Sequence, residues 1–171
     1  ALACTLVHQP DVVLLDEPEV LDAAKAQWMT GEAWQPLRHM IEDSFVVRDF
    51  MEIFLVQNFV FDGLLYPLIY DRFVDDTLTS KGGSAVAMLT SFMPMWFGQS
   101  SKWVDGVLKV AVAESEQNKA LISQWTNTWR DRAVAALTPI AAMAFGNNQE
   151  TMLNEVIEQF NARAKKLGIA A

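Results

Sequence analysis

Residues 49–79 read DFMEIFLVQNFVFDGLLYPLIYDRFVDDTLT, and this stretch decides the fold. Its apolar residues cover nearly every side of a helix rather than one face, which predicts a long helix buried on all sides. Gly63 and Pro67 predict a kink within it. Its most apolar run, residues 53–61, is far shorter than the roughly 20 apolar residues that a membrane span requires. The stretch therefore predicts a core helix.

The flanking segments also predict helices, because their apolar residues recur at helical spacing and alternating strand patterns are nearly absent. Pro94 or Gly98 predicts a bend, Ser84 an N-cap and Gly146 a C-terminal stop. Residues 12–15 are the one strand candidate. The predicted helices cover about 19–29, 34–47, 84–117, 119–144 and 149–165. The expected architecture is all-α, with long and mostly antiparallel helices.

Composition narrows the class of protein. The chain has 171 residues, of which 51% are hydrophobic, and includes six Trp and ten Phe, so we expect one well-packed core. The net charge of −8 argues against nucleic acid or an anionic membrane as partner. Cys4 is the single cysteine, which excludes an internal disulfide and fits the cytoplasm. A start without Met and without a secretory signal suggests a fragment.

The all-round apolar helix also predicts an interface. About five neighbouring helices could hardly cover its full length, so some of its phenylalanines should face a partner chain, although an ordinary bundle core remains the alternative. Asn58 and Asp62 lie one turn apart within this helix, close enough to bond each other or a partner. The interface candidates are Trp34, Arg38, Phe50, Phe54, Asn58, Phe61 and Asp62.

Neither histidine has the spacing of an iron site. Ferritin-like iron carboxylate sites use Glu-x-x-His pairs on a helix. Thr5 precedes His8 by three residues, and Pro36 precedes His39 by three. Most carboxylates predict a solvated helix face rather than acid–base chemistry. We therefore predict no metal, cofactor or catalytic residue in this chain.

Residues 1–22 give a conflicting signal, because they resemble the Walker B region of an ABC-type ATPase. In that family, the positions of Asp16 and Glu17 serve the magnesium ion and the attacking water. No G-x-x-x-x-G-K-[ST] phosphate loop occurs anywhere in the chain, so an ATPase fragment is the weaker alternative. We divide the chain into a segment of uncertain origin, 1–20, and a helical domain, 21–171.

A second resemblance covers about residues 21–171. It rests on Trp34-Gln35-x-Leu37-Arg38, Glu42-Asp43-Ser44-Phe45-Val46, Gln57-Asn58, Asp62-Gly63-Leu64-Leu65, Gly82-Gly83-Ser84 and Lys102-Trp103-Val104-Asp105. These marks resemble the β (non-iron) subunit of the hydroxylase of bacterial multicomponent diiron monooxygenases, and are most similar to the phenol hydroxylase branch. The resemblance implies a ferritin-like, ribonucleotide-reductase-like bundle, of which this chain would be the C-terminal half.

The resemblance also implies partners. An iron-bearing α subunit would hold the diiron centre, with a γ subunit, a second β chain, an effector protein and a reductase carrying NADH, FAD and an iron–sulfur cluster. This chain would brace the α subunit, and the helix over residues 45–69 would supply much of the contact. A stand-alone helical interaction protein is the remaining alternative.

Overall fold

The computed structural model describes residues 18–170, and the regular elements in that range are helical. They are α1 (Pro18–Thr30), α2 (Gln35–Ser44), α3 (Phe50–Leu78), α4 (Ser84–Thr90), α5 (Phe92–Glu114), α6 (Glu116–Phe145) and α7 (Gln149–Lys166). Short 3-10 turns at Glu32–Trp34 and Gly146–Asn148 lead into α2 and α7. The prediction of an all-α, ferritin-like bundle is confirmed. Cys4, His8 and the strand candidate at 12–15 lie outside the described residues.

Helix α3 begins where Asp49 caps it, because one carboxylate oxygen of Asp49 accepts hydrogen bonds from the backbone N–H groups of Met51 and Glu52, at 2.8 and 3.3 Å. The helix then alternates between two spacings. It is α-helical over Phe50–Phe54 and Asp62–Tyr66, and π-helical over Leu55–Phe61 and Pro67–Leu78. Pro67, where the sequence predicts a kink, is the first residue of the second π segment. The π spacing itself was not predicted.

The other helices of the bundle surround the middle of α3. Six of its side chains are at most 1% exposed: Leu55, Val56, Phe59, Val60, Leu64 and Leu68. Helices α5, α6 and α7 contribute Leu108, Leu137 and Phe160 to the same core. Three long helices of this chain therefore cover the middle of α3, whereas Phe50 at its start is 74% exposed, so contact of this helix with a partner chain stays a prediction. By length and composition α3 could cross a membrane, but 56% of its most apolar window is buried inside the bundle.

Three predicted boundaries need correction. Ser84 is the first residue of α4 rather than its cap, and Gly83 precedes it without a side-chain cap. The single helix predicted over 84–117 is two helices, α4 and α5, separated at Ser91. Pro94 accounts for the separation, since it has no N–H to donate to the carbonyl of Thr90 and its ring would clash there. Helix α2 ends at Ser44, three residues before its predicted end.

The C-terminal helices follow the prediction more closely. The Ser115 hydroxyl accepts a hydrogen bond from the Asn118 N–H at 3.1 Å, which starts α6 slightly earlier than expected. Gly146 ends α6 with a φ of +55°, a conformation that favours glycine. Helix α7 ends with Arg163, Lys165 and Lys166 in its last turn, where positive charge is favourable.

Candidate interaction surfaces

Helix α5 has an apolar outer face. Phe92, Trp96, Trp103 and Val110 are 57, 51, 63 and 72% exposed and are spaced by four or seven residues, so they form one stripe along the helix. We call these four residues the α5 stripe. The opposite side of the helix is buried and includes Val104, Leu108 and Val112.

Helix α5 also contains two exposed glycines, Gly98 and Gly106, at which no side chain covers the backbone. A Cβ atom built on Gly106 or on Gly98 would meet no atom within 4 Å. Of the two, Gly106 falls within the α5 stripe by helical spacing, between Trp103 and Val110. Glycine in the interior of a helix lowers stability by about 0.5–1 kcal/mol relative to alanine. The stability of this chain therefore does not explain why glycine occupies these two positions. The outer face of α5 combines large aromatic side chains with room for close approach of another backbone.

A second exposed apolar group lies where α2 leads into α3. Phe45, Val46 and Phe50 are exposed there. The Phe50 ring lies 6.4 Å from that of Phe54, and the Phe54 ring meets Trp103 edge-on at 5.4 Å. Through these contacts, the α2–α3 corner adjoins the α5 stripe, and the two can be covered by one partner.

The seven interface candidates from the sequence occupy four environments. Trp34 and Phe54 are buried within this chain's own core. The Arg38 guanidinium pairs with Glu42 at 2.7 Å and donates to the Met29 carbonyl at 3.0 Å, which holds α1 against α2. Phe50 is exposed at the corner, as just described. Asn58, Phe61 and Asp62 line one pocket. Their role at an interface stays a prediction.

That pocket lies between α2 and α3 and has a volume of about 280 Å³. Its lining residues are Met40, Ile41, Ser44, Phe45, Val56, Gln57, Asn58, Phe61 and Asp62. The Asn58 side-chain N–H donates to the Phe54 carbonyl at 3.0 Å, within its own helix. The bond between Asn58 and Asp62 that the sequence allows is therefore not formed, since the amide turns back by one turn.

Asp62 is the charged group of the pocket. Burial raises its pKa from the ordinary 3.8 to about 6, and the positive charge of Arg163 opposes that rise. Arg163 itself pairs with Asp105: its Nε and Nη2 atoms lie 2.8 and 2.7 Å from one carboxylate oxygen. Its guanidinium also lies 4.7 Å from the centre of the Phe59 ring. Arg163 was not singled out from the sequence, because only the packing of α7 on α3 brings it beside Asp62.

Within residues 18–170, no group of three or more His, Cys, Asp or Glu side chains could hold a metal ion. The described residues therefore do not fit the iron centre that a ferritin-like fold otherwise suggests. His39 is exposed on α2. Three other features stand out: the apolar outer face of α5, the pocket between α2 and α3, and the partly buried charged side chains of Asp62, Asp105 and Arg163. Together they define a helical-bundle protein with surfaces suited to subunit assembly.

Comparison with known proteins gives the family. Residues 11–115 match the methane/phenol/alkene hydroxylase family, so the chain belongs to it. It is 48% identical, over 88% of its length, to phenol 2-monooxygenase, oxygenase component DmpL, of Pseudomonas sp. (strain CF600). It is 39% identical, over 87% of its length, to the corresponding component MhpL of Acinetobacter pittii (strain PHEA-2). The chain spans 44% of the length of each of these two relatives.

A solved structure agrees with the sequence comparisons. The crystal structure of xenon-pressurized phenol hydroxylase from Pseudomonas sp. OX1 matches 90% of this chain, with a TM-score of 0.84 and 39% identity, and the match covers 45% of that chain. More distant similarity, 24% identity over 74% of this chain, relates it to the propane 2-monooxygenase hydroxylase small subunit of Mycolicibacterium goodii. The recognition of a phenol hydroxylase component is confirmed.

Proposed function

We propose that this chain is a structural, non-catalytic part of the hydroxylase of a cytoplasmic, NADH-dependent aromatic monooxygenase of the phenol/toluene type. It binds an iron-bearing α subunit and keeps that subunit's helices in place, within an assembly that also contains a γ subunit and a second copy of this chain. The diiron centre belongs to the α subunit. NADH, FAD and the iron–sulfur cluster belong to the reductase, and an effector protein completes the system.

The observation that carries the proposal is the α5 stripe. Two of its four residues are tryptophan, and each is more than half exposed. Contiguous exposed apolar surface of this kind marks binding sites in soluble proteins, and tryptophan is enriched among the residues that dominate binding energy. Met88 and Leu89 on α4, the helix that precedes α5, are also exposed. This surface, more than α3, supplies the contact with the α subunit.

The bracing effect follows from how the stripe is supported. Trp103 contacts Phe54, and Tyr66 of α3 packs on Trp96 and Phe97 with ring centres 5.8 and 5.0 Å apart. A partner docked on α5 therefore packs on side chains fixed by the buried core helix. A displacement of about 1 Å among catalytic groups can cost about a hundredfold in rate. A rigid neighbour can thus support catalysis without contacting the reacting atoms.

The test is reconstitution of the hydroxylase from this chain and purified iron-bearing subunit. In the Trp96→Gln/Trp103→Gln variant we expect at least about tenfold weaker assembly, since central aromatic residues at interfaces cost about 2 kcal/mol or more when truncated. We expect phenol hydroxylation to fall in parallel. Leu121→Gln/Met143→Gln is the matched control, because both residues are exposed on α6, away from the stripe. Unchanged assembly of the tryptophan variant would contradict the proposal.

A stand-alone interaction protein remains the second candidate, and the complete burial of the middle of α3 favours it. A chain that covers its own core helix has the means to fold without a partner. The reconstitution separates the two functions. A chain that melts cooperatively as a monomer and does not associate with the iron-bearing subunit is a stand-alone protein.

A further inference from the structure

The pocket between α2 and α3 has a distinct chemical character. Its walls are largely apolar and include Met40, Ile41, Val56 and Phe61. At about 280 Å³ it falls just below the range of about 300–1,000 Å³ typical of small-molecule sites. An unbranched side chain with an apolar stem and a polar head suits such a space better than a cofactor does.

The pocket contains one carboxylate, that of Asp62, beside the uncharged polar side chains of Ser44, Gln57 and Asn58. The Asn58 amide N–H is engaged by the Phe54 carbonyl, which leaves the amide oxygen free. The Ser44 hydroxyl donates to the Ile41 carbonyl at 2.7 Å, which leaves its lone pairs free. Within residues 18–170, the Asp62 carboxylate has no hydrogen-bond donor or cation paired with it. The pocket therefore offers a carboxylate that no cation pairs with, and an arginine, with five N–H donors and a permanent charge, supplies the counter-charge.

The surrounding charges agree with a cationic occupant. The α2 residues of the pocket, Met40, Ile41, Ser44 and Phe45, are uncharged. On α7, Arg163 is the cation that acts on Asp62, but its Nε and Nη2 atoms pair with Asp105, its buried Nη1 has no hydrogen-bond partner, and it forms no ion pair with Asp62. On α3 itself, burial raises the pKa of Tyr66, and the Asp62 charge raises it further. A net charge of −8 attracts a basic partner group further.

We propose that this pocket receives one basic side chain, an arginine or a lysine, of the iron-bearing subunit, whose charge meets the Asp62 carboxylate and the Asn58 amide oxygen. This inference rests on the proposed function. It assigns to Asp62 a role as a specificity anchor at the subunit contact, next to the exposed Phe45 ring. Partial burial of the charged Asp62 carboxylate destabilises the separate chain. Once the partner's cation pairs with it, the same carboxylate stabilises the complex.

The experiment compares wild-type chain, Asp62→Asn and Asp75→Asn for binding to the purified iron-bearing subunit. Asp62→Asn removes the charge without changing the shape, and Asp75→Asn is the control because Asp75 is exposed on the same helix. We expect Asp62→Asn to weaken binding about 30-fold or more, as when one member of a buried charge pair is removed. Binding by wild type and by Asp75→Asn should weaken below pH 6, as Asp62 takes up a proton. Binding by the Asp62→Asn variant should not weaken in this way below pH 6.

The outcomes separate the inference from the proposed function. If the wild-type chain binds and Asp62→Asn binds equally well with the same pH profile, the pocket proposal is overturned and the proposed function stands. If the wild-type chain does not bind at all, the proposed function is overturned and the pocket proposal with it. A structure of the complex gives an independent measurement. An arginine or lysine nitrogen within hydrogen-bonding distance of Asp62 supports the proposal, and an empty or apolar-filled pocket refutes it.

Discussion

Helices α3 and α5 are both long and rich in aromatic residues, yet the bundle treats them differently. The middle of α3 is enclosed, with Phe59 and Leu64 fully buried. Helix α5 buries one side and leaves Trp96 and Trp103 more than half exposed on the other. An apolar helix can therefore serve the fold of its own chain or the contact with another, and only the packing of its neighbours decides which.

The difference assigns separate energetic roles to the two helices. Substitutions in α3 should alter the free energy of unfolding of the chain itself. Substitutions in the α5 stripe should leave that free energy nearly unchanged and alter assembly instead. Each prediction below tests one side of this contrast.

The largest effect is expected at Phe59. Its ring is fully buried and lies 5.1 Å from the Phe160 ring, with the Arg163 guanidinium over its face. Phe59→Ala should lower the free energy of unfolding by about 3–5 kcal/mol, because it leaves a cavity and removes the ring on which Arg163 packs. Urea denaturation followed by circular dichroism measures this. Trp96→Ala is the comparison and should change stability by less than about 1 kcal/mol. Equal losses of unfolding free energy in Phe59→Ala and Trp96→Ala would contradict the separate roles assigned to α3 and α5.

The difference between α3 and α5 also shows which features could be predicted from the sequence. Periodicity located α3, α6 and α7 to within a few residues, because Asp49 precedes α3, Ser115 precedes α6 and Gly146 separates α6 from α7. It could not tell which apolar residues of α3 and α5 remain exposed, since that depends on where α6 and α7 pack. The spacing of Phe92, Trp96, Trp103 and Val110 contained the signal for a second apolar face.

The pocket was only partly predictable. Asn58 and Asp62 drew attention as polar residues within an apolar helix, and both do line one cavity. The mutual bond that their spacing allows is absent, because the Asn58 amide bonds its own backbone instead. The approach of Arg163 depends on contact between α7 and α3, about a hundred residues apart in sequence, and no local pattern encodes it.

The next prediction concerns close packing between α3 and α7. A Cβ atom at Gly63 would lie 3.1 Å from the Phe160 ring and 3.2 Å from Arg163 Nη1. Gly63→Ala should therefore destabilise the chain by about 1–3 kcal/mol despite the better helix propensity of alanine. Combining it with Phe160→Leu should give less than the sum of the two separate losses, as measured by urea denaturation. Full additivity would show that the two helices do not meet as described.

Asp62 provides a prediction about pH. Its pKa in the folded chain is about 6, above the ordinary 3.8, so the folded state binds this proton more tightly than the unfolded state does. The carboxyl group therefore lowers stability as pH rises from about 4 to about 6, and the loss persists above that. At pH 7.5, Asp62→Asn should stabilise the separate chain by about 1–2 kcal/mol, after discounting for solvent screening.

At pH 3.8 the same substitution should have little effect on stability, because the carboxyl group is then protonated in the folded state and about half protonated in the unfolded state. Thermal melts at pH 7.5 and pH 3.8 measure the difference. A variant that is equally stabilised at both pH values would show that burial of the charge is not the cause.

The smallest expected effect is the most specific for the outer face of α5. Gly106→Ala and Gly98→Ala each add one methyl group to an exposed glycine within the same helix, and neither new Cβ meets an atom of this chain within 4 Å. Both should stabilise the separate chain by about 0.5–1 kcal/mol, since alanine loses less backbone entropy than glycine.

Only Gly106 lies on the α5 stripe, and Gly98 lies about a third of a turn away. If a partner packs on the stripe, Gly106→Ala should weaken assembly while Gly98→Ala should not. Equal affinities for the two variants would mean that no backbone approaches this face, even if the tryptophans contribute to binding.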